Sequence, residues 1–486
     1  PLMKTTRVRR SNLILRSDPT RVLLRPFLSA TDPRAARICA LILALPESRV
    51  RTLWAQVLEE FGRRHPEIEE FLMRRFELLR GHLRDRRRMS NERKLLLGSY
   101  FSHEYSLEAA ALFNPSMVPH PDQRNLPKGS LRFILSLRAT GEGHISSVTF
   151  RTGTLDAANN IKVTAPRHFC IEPEQTPNAA YNKTLFEQKI QELGLEGPYT
   201  RRTLFDLPEE FTLEQLRESG LRAGRQLKAR KQQSTDVAAK VLLLAQSNYE
   251  VHFASDSHLS ERVLFPSSPS QSNGIEDARF VKFREDDGSE MYCATYTAYD
   301  GRMILPQFIE TPDFLNFHFI TLNGQAVRNK GLALFPRKIG GCYVMLGRQD
   351  YENIHVMFSD QLHFWNSAEI VLKPEFPWEF IQLGNCGSPI ETKAGWLVIS
   401  HGVGPMRKYC IGAFLLDLND PTRVIGRLRE PLIEPNENER EGYVPNVVYS
   451  CGSLVHGDHL IVPYAMSDSA TTFATLPLDE ILAAMV

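Results

Sequence analysis

From about Ser130 onward the apolar residues fall at every second position and keep returning in one form: a strand, a glycine-bearing turn, then a strand with an aromatic residue near its start. Five such hairpins stand in the chain: Leu131–Thr149 around Gly141 and Gly143, Phe280–Tyr296 around Gly288, Lys338–Arg348 around Gly340-Gly341, Ile390–His401 around Gly395, and Leu454–Tyr464 around Gly457. The last four are spaced by roughly 50 to 65 residues, the length of a four-stranded propeller blade. Phe253-Ala-Ser-Asp256 and Phe358-Ser-Asp360 echo each other as strands ending in Ser-Asp. A chain so constrained is expected to be mainly β, a five-bladed β-propeller over residues 114–486. A β-sandwich, the alternative, needs no blade-length period.

Upstream the period is different. Between Thr31 and Phe113 apolar residues recur every three or four positions, as in Ile38, Leu41, Ile42 and Leu45, then Val50, Leu53, Trp54, Val57, Leu58 and Phe61. Asp32-Pro33 reads as an N-cap followed by proline at the first helical position, and Pro46 and Pro66 sit near new helix starts. The pattern predicts an N-terminal segment over 1–30, an α-helical extension over 31–113, and a helical insertion at about 183–247 from the patterns Lys183–Leu193 and Leu213–Ser247.

Charge is uneven along the chain. Residues 1–100 carry 22 Lys and Arg against 11 Asp and Glu, leaving 36 against 46 in the remainder, although the net charge is only +1. The arginines interleave with apolar residues at helical spacing and no recognition motif accompanies them, so a solvated helix face, or docking on the acidic remainder, is expected rather than a nucleic-acid partner. The run Arg225–Gln233 is read the same way. With 486 residues at 42% hydrophobic, the chain can bury a large core. It has no apolar run of about 18 residues and no apolar core behind its Arg-rich start, so neither a membrane span nor a secretory signal is indicated and cytoplasm is the default. Seven scattered cysteines without CxxC spacing read as reduced, mostly buried thiols. The histidines lack metal-ligand spacing, no metal is expected, and His456-Gly-Asp-His459 reads as a hairpin turn.

Two features carry chemistry. Ser272-Asn-Gly-Ile-Glu-Asp-Ala-Arg-Phe-Val281 sets Glu276 and Asp277 between a glycine turn and a strand. A turn with its own salt bridge to Arg279 and a catalytic acid both fit it. The second strands of successive hairpins end in Tyr296, Arg348, His401 and Tyr464. In a propeller such equivalent ends surround one mouth, which predicts a shared pocket.

Ser272–Val281, Asn329-Lys-Gly-Leu-Ala-Leu-Phe-Pro336, Asn385-Cys-Gly-Ser-Pro-Ile-Glu-Thr392, Gly395-Trp396, His401-Gly-Val403 and Gly442-Tyr-Val-Pro-Asn446 resemble, in order, the motifs of glycoside hydrolase family 130 over most of residues 110–480. That resemblance implies a five-bladed propeller acting on β-mannosides. Most members are inverting phosphorylases that release mannose 1-phosphate, and some are hydrolases. It implies Asp277 as the catalytic proton donor, with Ala278 where the family usually has proline. It also implies Asn114, Arg138 and Asp468 as sugar-binding residues, Tyr296 beside them, and Lys330, Arg348, His401 and Tyr443 as the phosphate-binding set. A position often lysine in phosphorylases is Glu391 here. An anion there would meet a negative charge, and a carboxylate could activate water, so an inverting β-mannosidase with Glu391 as base stays open beside the preferred phosphorylase. Pairing of Glu391 with Lys330 or Arg348 is a further alternative. Another class is a carbohydrate-binding propeller without catalysis. No redox cofactor is implied, and inorganic phosphate would be a co-substrate. The added helices and the loop Asn114–Gln123, with His120 and Asp122, are expected to wall the pocket, and the helices could also serve contact between copies of the chain.

Overall fold

In a computed structural model, which describes residues 7–29, 32–80, 89–176, 180–227, 231–302 and 304–486, with the side chains of 231–235 left aside, the chain is mainly β. Two compact units are distinguished: Asp18–Ala109 with Arg167–Ile171, and the remaining described residues.

The smaller unit is helical, with helices Ala35–Leu43, Glu47–Phe61, Ile68–Leu79 and Asn91–Ser99. Their apolar stripes meet in a core of Cys39, Ile42, Val50, Phe76, Leu79, Leu96, Leu97 and Phe101. A fully buried ion pair, Arg21 to Glu108 at 2.9 Å, lies in the same unit. The helical run stops earlier than its pattern suggested. Ser102–Ser106 is a strand paired with Val22–Pro26. The first helix also starts late: Asp32 accepts hydrogen bonds from the Arg34 backbone and guanidinium, which spends its capping oxygens on a turn before Ala35.

The larger unit contains five antiparallel groups in chain order. The first is Ala111–Pro119, Leu131–Thr140 and Ser146–Leu155, edged by Ile161–Val163. The second is Gly274–Arg284, Glu290–Tyr299, Ile304–Thr311 and Asn316–Thr321, edged by Tyr249–His252. The third is Ala333–Leu334, Tyr343–Gly347, Ile354–Ser359 and Glu369–Leu372. The fourth is Gln382–Asn385, Gly395–Val403, Tyr409–Leu416 and Val424–Arg427. In the fifth, Val448–Tyr449, His459–Met466 and Ala470–Pro477 are completed at the outer edge by Arg9–Arg10, from the other end of the chain.

Consecutive groups pack face to face because their strands are apolar on both sides. Met345 and Met357 of the third group join Val281, Phe283 and Phe308 of the second, while Val344, Leu346 and Val356 join Trp396, Val398 and Phe414 of the fourth. Leu397 and Ile399 face Val448, Leu460 and Val462 of the fifth. Ala465 of the fifth packs on Ala111 and Phe113 of the first. A single parallel bridge, Ser146 to Gly274, and the Phe150–Phe280 ring contact join the first group to the second. Every group therefore has a neighbour on each side.

Three expectations need correction. The hairpin Leu131–Thr149 joins the second and third strands of its group, whereas the other four hairpins run into the second strand. The Ser-Asp echo is not structural, since Tyr249–His252 lies between Asn316–Thr321 and Glu174–Gln175, outside the four strands of the second group, and Ile354–Ser359 is the third strand of its group. Asn114–Gln123 is for the most part strand rather than loop: His120 lies beyond the end of Ala111–Pro119, six residues or about 20 Å of strand from Asn114. His120 and Asp122 are thus at the opposite end of that strand. His456 and His459 do form the predicted hairpin turn.

The insertion holds helices Lys183–Glu192, Leu213–Gln226 and Lys231–Gln246, plus Pro198–Phe205, which the sequence pattern missed. Its own core includes Tyr181, Phe186, Ile190, Phe211 and Leu244. Part of the Arg225–Gln233 run lies outside the described residues. No described helix is long and apolar enough to cross a membrane. All seven cysteines are free and five are buried.

Gly387, at φ +102°, lets the fourth group's first strand approach the fifth: a Cβ there would lie 2.4 Å from the Cys451 carbonyl oxygen. Gly387→Ala is expected to lower the unfolding free energy by more than about 1 kcal/mol, read from a urea titration, because the conformation and the space are both refused. An unchanged midpoint would contradict this contact.

Candidate active site

In each group the start of the first strand and the end of the second lie at the same end of the sheet, because the two strands are antiparallel. That end supplies Asn114 and Arg138 from the first group, Asp277 and Tyr296 from the second, and Lys330 and Arg348 from the third. Asn385 and His401 come from the fourth, and Tyr449 and Asp468 from the fifth.

Hydrogen bonds then cross between groups. Asn114 Nδ2 donates to Asp277 Oδ1 at 2.7 Å. Arg138 donates to Asp277 Oδ1 at 3.2 Å and to Glu276 Oε1 at 2.7 Å, and its Nε donates to Ser146 Oγ. Lys330 Nζ donates to the other Glu276 oxygen at 2.9 Å. On the far side of Asp277, Arg279 donates to the Asn385 carbonyl and side-chain oxygens and to Tyr449 Oη. Arg348 lies 3.3 Å from His401 Nε2, and the His401 ring meets Tyr449 edge-on at 4.9 Å. All five groups therefore converge on one cluster.

The backbone bends to bring this about. Regular pairing breaks between Phe113 and Ser116 and between Glu276 and Arg279, and at these bulges Asn114 and Asp277 adopt φ of +48° and +55°. Asp468 is also left-handed, at φ +52° in the turn after His459–Met466, as is Asn329 at +62° beside Lys330. Asn and Asp tolerate this region best, at a cost of order 1 kcal/mol each.

The charges decide which groups are ionised. Burial alone would push the Asp277 carboxyl up, but Arg138, then Lys330 and Arg279, and the bond from Asn114 outweigh it and hold the group below the usual carboxylate range. Asp468 is the reverse case: burial and the negative charge of Asp277 push it up to about 6. His401 is driven well below its ordinary value by burial and by Arg348 and Arg279, so near neutral pH it is an uncharged imidazole. With the Arg348 guanidinium donating, its Nε2 is assigned as acceptor. The positive charge opposite Asp277 therefore comes from Lys330 and Arg348, not from His401. Arg348 Nε, Asn114 Oδ1 and Ser388 Oγ are buried without a hydrogen-bond partner among the described residues.

Three other residues from the sequence reading fall differently, and Tyr296, which lines a small cleft with Asp277, Arg279 and Lys330, turns its hydroxyl elsewhere. Tyr296 is buried, with its hydroxyl bonded to Gln271 and Gln307. Tyr464, one of the four strand ends, is buried with its hydroxyl on Glu439. Glu391 makes a two-point pair with Arg337, whose guanidinium stacks on Trp396, and pairs with neither Lys330 nor Arg348. Tyr443 is 69% exposed, and its ring lies against His144, away from the basic residues' hydrogen bonds. Sequence reading also missed members of the cluster: Glu276 as the shared anchor for Arg138 and Lys330, and Arg279, Asn385 and Tyr449 beneath Asp277. The Asn385-Cys-Gly-Ser388 and Asn446-Val-Val-Tyr449 segments held that signal. Cavities of about 220 Å³ and 610 Å³ lie between the insertion and the second group, and none of their lining residues belongs to the cluster.

A family profile described as beta-1,4-mannooligosaccharide phosphorylase, that of glycoside hydrolase family 130, matches residues 227–486. Asn114 and Arg138 lie outside that match. A 1,2-beta-oligomannan phosphorylase of Thermoanaerobacter sp. is 38% identical over 227 residues, 46% of this chain and 75% of the relative. A beta-1,2-mannobiose phosphorylase of Listeria innocua is 31% identical over 247 residues, 49% of this chain and 67% of the relative. The solved structure of beta-1,2-mannobiose phosphorylase from Listeria innocua with beta-1,2-mannobiose aligns with a TM-score of 0.45 at 22% identity, covering 77% of this chain and 92% of that one.

Asp468 binds its proton more tightly in the folded chain than in the unfolded one, whose value is 3.8, so unfolding free energy should fall as pH rises from about 4 to about 6. Asp277, with its lowered value, contributes stability that is lost only below that window. Asp468→Asn is expected to flatten the slope between pH 4 and 6 in denaturant titrations. Parallel wild-type and variant curves would refute the coupling.

Proposed function

The chain belongs to glycoside hydrolase family 130, and from that membership we propose that it is an inverting β-mannoside phosphorylase that uses inorganic phosphate to release mannose 1-phosphate. The five antiparallel groups, each packed on the next, are then the blades of a five-bladed propeller, and the cluster at their common end is its catalytic mouth. The observation that carries the activity is the division of charge around Asp277. Asn114, Arg138 and Asp468 stand on one side of this carboxylate. Lys330 and the Arg348 guanidinium, with its unpartnered Nε, stand toward the third and fourth groups.

Mannose held by Asn114, Arg138 and Asp468 presents its anomeric carbon between the two sides. Phosphate held by Arg348 and Lys330, with the neutral His401 as a hydrogen-bonding partner, attacks from the face opposite the leaving oxygen and inverts the anomeric centre. Arg348 suits a phosphate because its planar fork matches two oxygens at once. Asp277 gives its proton to the leaving oxygen, directly or through a sugar hydroxyl.

Without phosphate, Arg138 and Lys330 hold Asp277 ionised, which is the wrong state for a proton donor. A phosphate beside Lys330 brings negative charge to the same neighbourhood and raises the affinity of Asp277 for a proton. Binding of the nucleophile thus prepares the acid. Hydrolysis would need a carboxylate to activate water, and the pairing of Glu391 with Arg337 takes away the candidate that the sequence offered.

Incubation with a panel of β-mannobioses is expected to yield mannose 1-phosphate only when phosphate is present. Free mannose released without phosphate would sink the proposal. Asp277→Asn should lower kcat by about 100- to 10,000-fold. Arg348→Gln should raise the KM for phosphate by about tenfold or more while changing the KM for mannoside much less, following the worth of a charge-assisted bond.

A further inference from the structure

Tyr443 is an exposed aromatic ring on a backbone that is firmly held. Its neighbour Gly442 packs so closely on the turn before Asp468 that a Cβ would meet the Ser467 carbonyl oxygen at 2.3 Å. The Val444 backbone N–H donates to the same carbonyl, Ser467 donates back to the Val447 carbonyl, and the Ser467 hydroxyl donates to the Glu439 carbonyl. The loop and the Asp468 turn are therefore one piece. His144 sits in the turn between Leu131–Thr140 and Ser146–Leu155, at φ +60°, two residues from the serine that accepts from Arg138. The two rings lie 5.5 Å apart at 30°. They bracket Arg138 and Asp468 from two chain segments, yet no hydrogen bond of the Tyr443 hydroxyl is seen among the described residues, and the ring remains 69% exposed.

A fixed backbone with a free ring face is what a preorganised binding wall requires, since little freedom is lost when a ligand docks. The ligand that suits it is uncharged and has an apolar face. A β-mannosyl unit presents the axial hydrogens of its first, third and fifth carbons on one face, and such faces pack on aromatic rings. We infer that His144 and Tyr443 form a wall for the mannosyl units that follow the terminal one, so that this site favours β-mannooligosaccharides over single sugars. The inference rests on the β-mannoside reading above and gives Tyr443 contact with sugar in place of phosphate.

Calorimetry in an Asp277→Asn background, in which turnover is slowed, tests it with mannose, β-1,2- and β-1,4-linked mannotriose, and inorganic phosphate, each titrated alone. Adding Tyr443→Ala is expected to weaken mannotriose of the preferred linkage about fivefold, the worth of one stacked ring, with mannose and phosphate moved by less than about twofold. Tyr443→Phe should bind mannotriose as the parent does, and His144→Ala should follow Tyr443→Ala. Equal loss for mannose and mannotriose, no loss at all, or weakened phosphate in both the Ala and Phe variants would overturn the inference. If the wild type turns over no β-mannoside with phosphate while the mannotriose effect persists, the phosphorylase reading falls and the wall stands.

Discussion

The contact on which the site depends is the Arg138 guanidinium set between Glu276 and Asp277. Arg138 belongs to the first group and both carboxylates to the second, so the contact ties together two sheets whose ladders meet in one parallel bridge. Three partly buried ions cost several kcal/mol of lost hydration unless each finds a partner. Here each does: Arg138 donates to both carboxylates and to Ser146, Asn114 completes Asp277, and Lys330 completes Glu276. Removing any one member leaves another charge uncompensated. This explains why two backbone bulges, one on each strand, are tolerated at the same place. The left-handed Asn114 and Asp277 are held by the ion cluster that their own distortion makes possible.

The same cluster sets the electrostatic asymmetry of the mouth. Arg138, Arg279, Lys330 and Arg348 face Glu276, Asp277 and Asp468, and Asp468 keeps its proton to higher pH than a free aspartate. The balance is positive before any ligand binds, and the excess lies toward Arg348, because Arg138, Arg279 and Lys330 are already committed to neighbours. In the proposed reaction a dianion takes that side and a neutral sugar the committed one. Beside Arg348, His401 is an uncharged ring whose Nε2 accepts, clasped by the parallel Tyr409 ring and the edge of Tyr449.

Much of this was legible in the chain. Period-two apolar spacing with glycine turns located all five groups, since a strand buried on one or both faces must alternate or stay apolar, and Gly288, Gly340, Gly341 and Gly457 are left-handed turn formers. The first hairpin falls out of phase because Ala111–Pro119 is joined to Leu131–Thr140 by the long connection 120–130, whose glycine, Gly129, stands at its far end and marks no tight turn. The acid pair and the strand ends Arg348 and His401 were visible as polar residues at matched positions. Tyr296 and Tyr464 looked equivalent, yet their hydroxyls turn to buried Gln271 and Glu439, and no local pattern reveals where a tyrosine hydroxyl finds its partner. Glu391 was misplaced for a related reason: its guanidinium partner, Arg337, is 54 residues away, so the pairing is a property of the packed sheets and not of the segment.

The position of the first group bears on how specificity is divided. The family match covers residues 227–486, which hold Asp277, Lys330, Arg348 and His401, the proton donor and the anion side in the proposed reaction. Asn114, Arg138 and His144 come from before it. A site whose reacting groups lie within the shared segment, and whose sugar-facing groups lie partly outside it, can keep one chemistry while its sugar preference changes. That change is bounded, however, because Arg138 also holds Asp277 in its ionised state. In the proposed reaction, sugar contacts are freer to vary at His144 than at Arg138, where a change would disturb the acid itself.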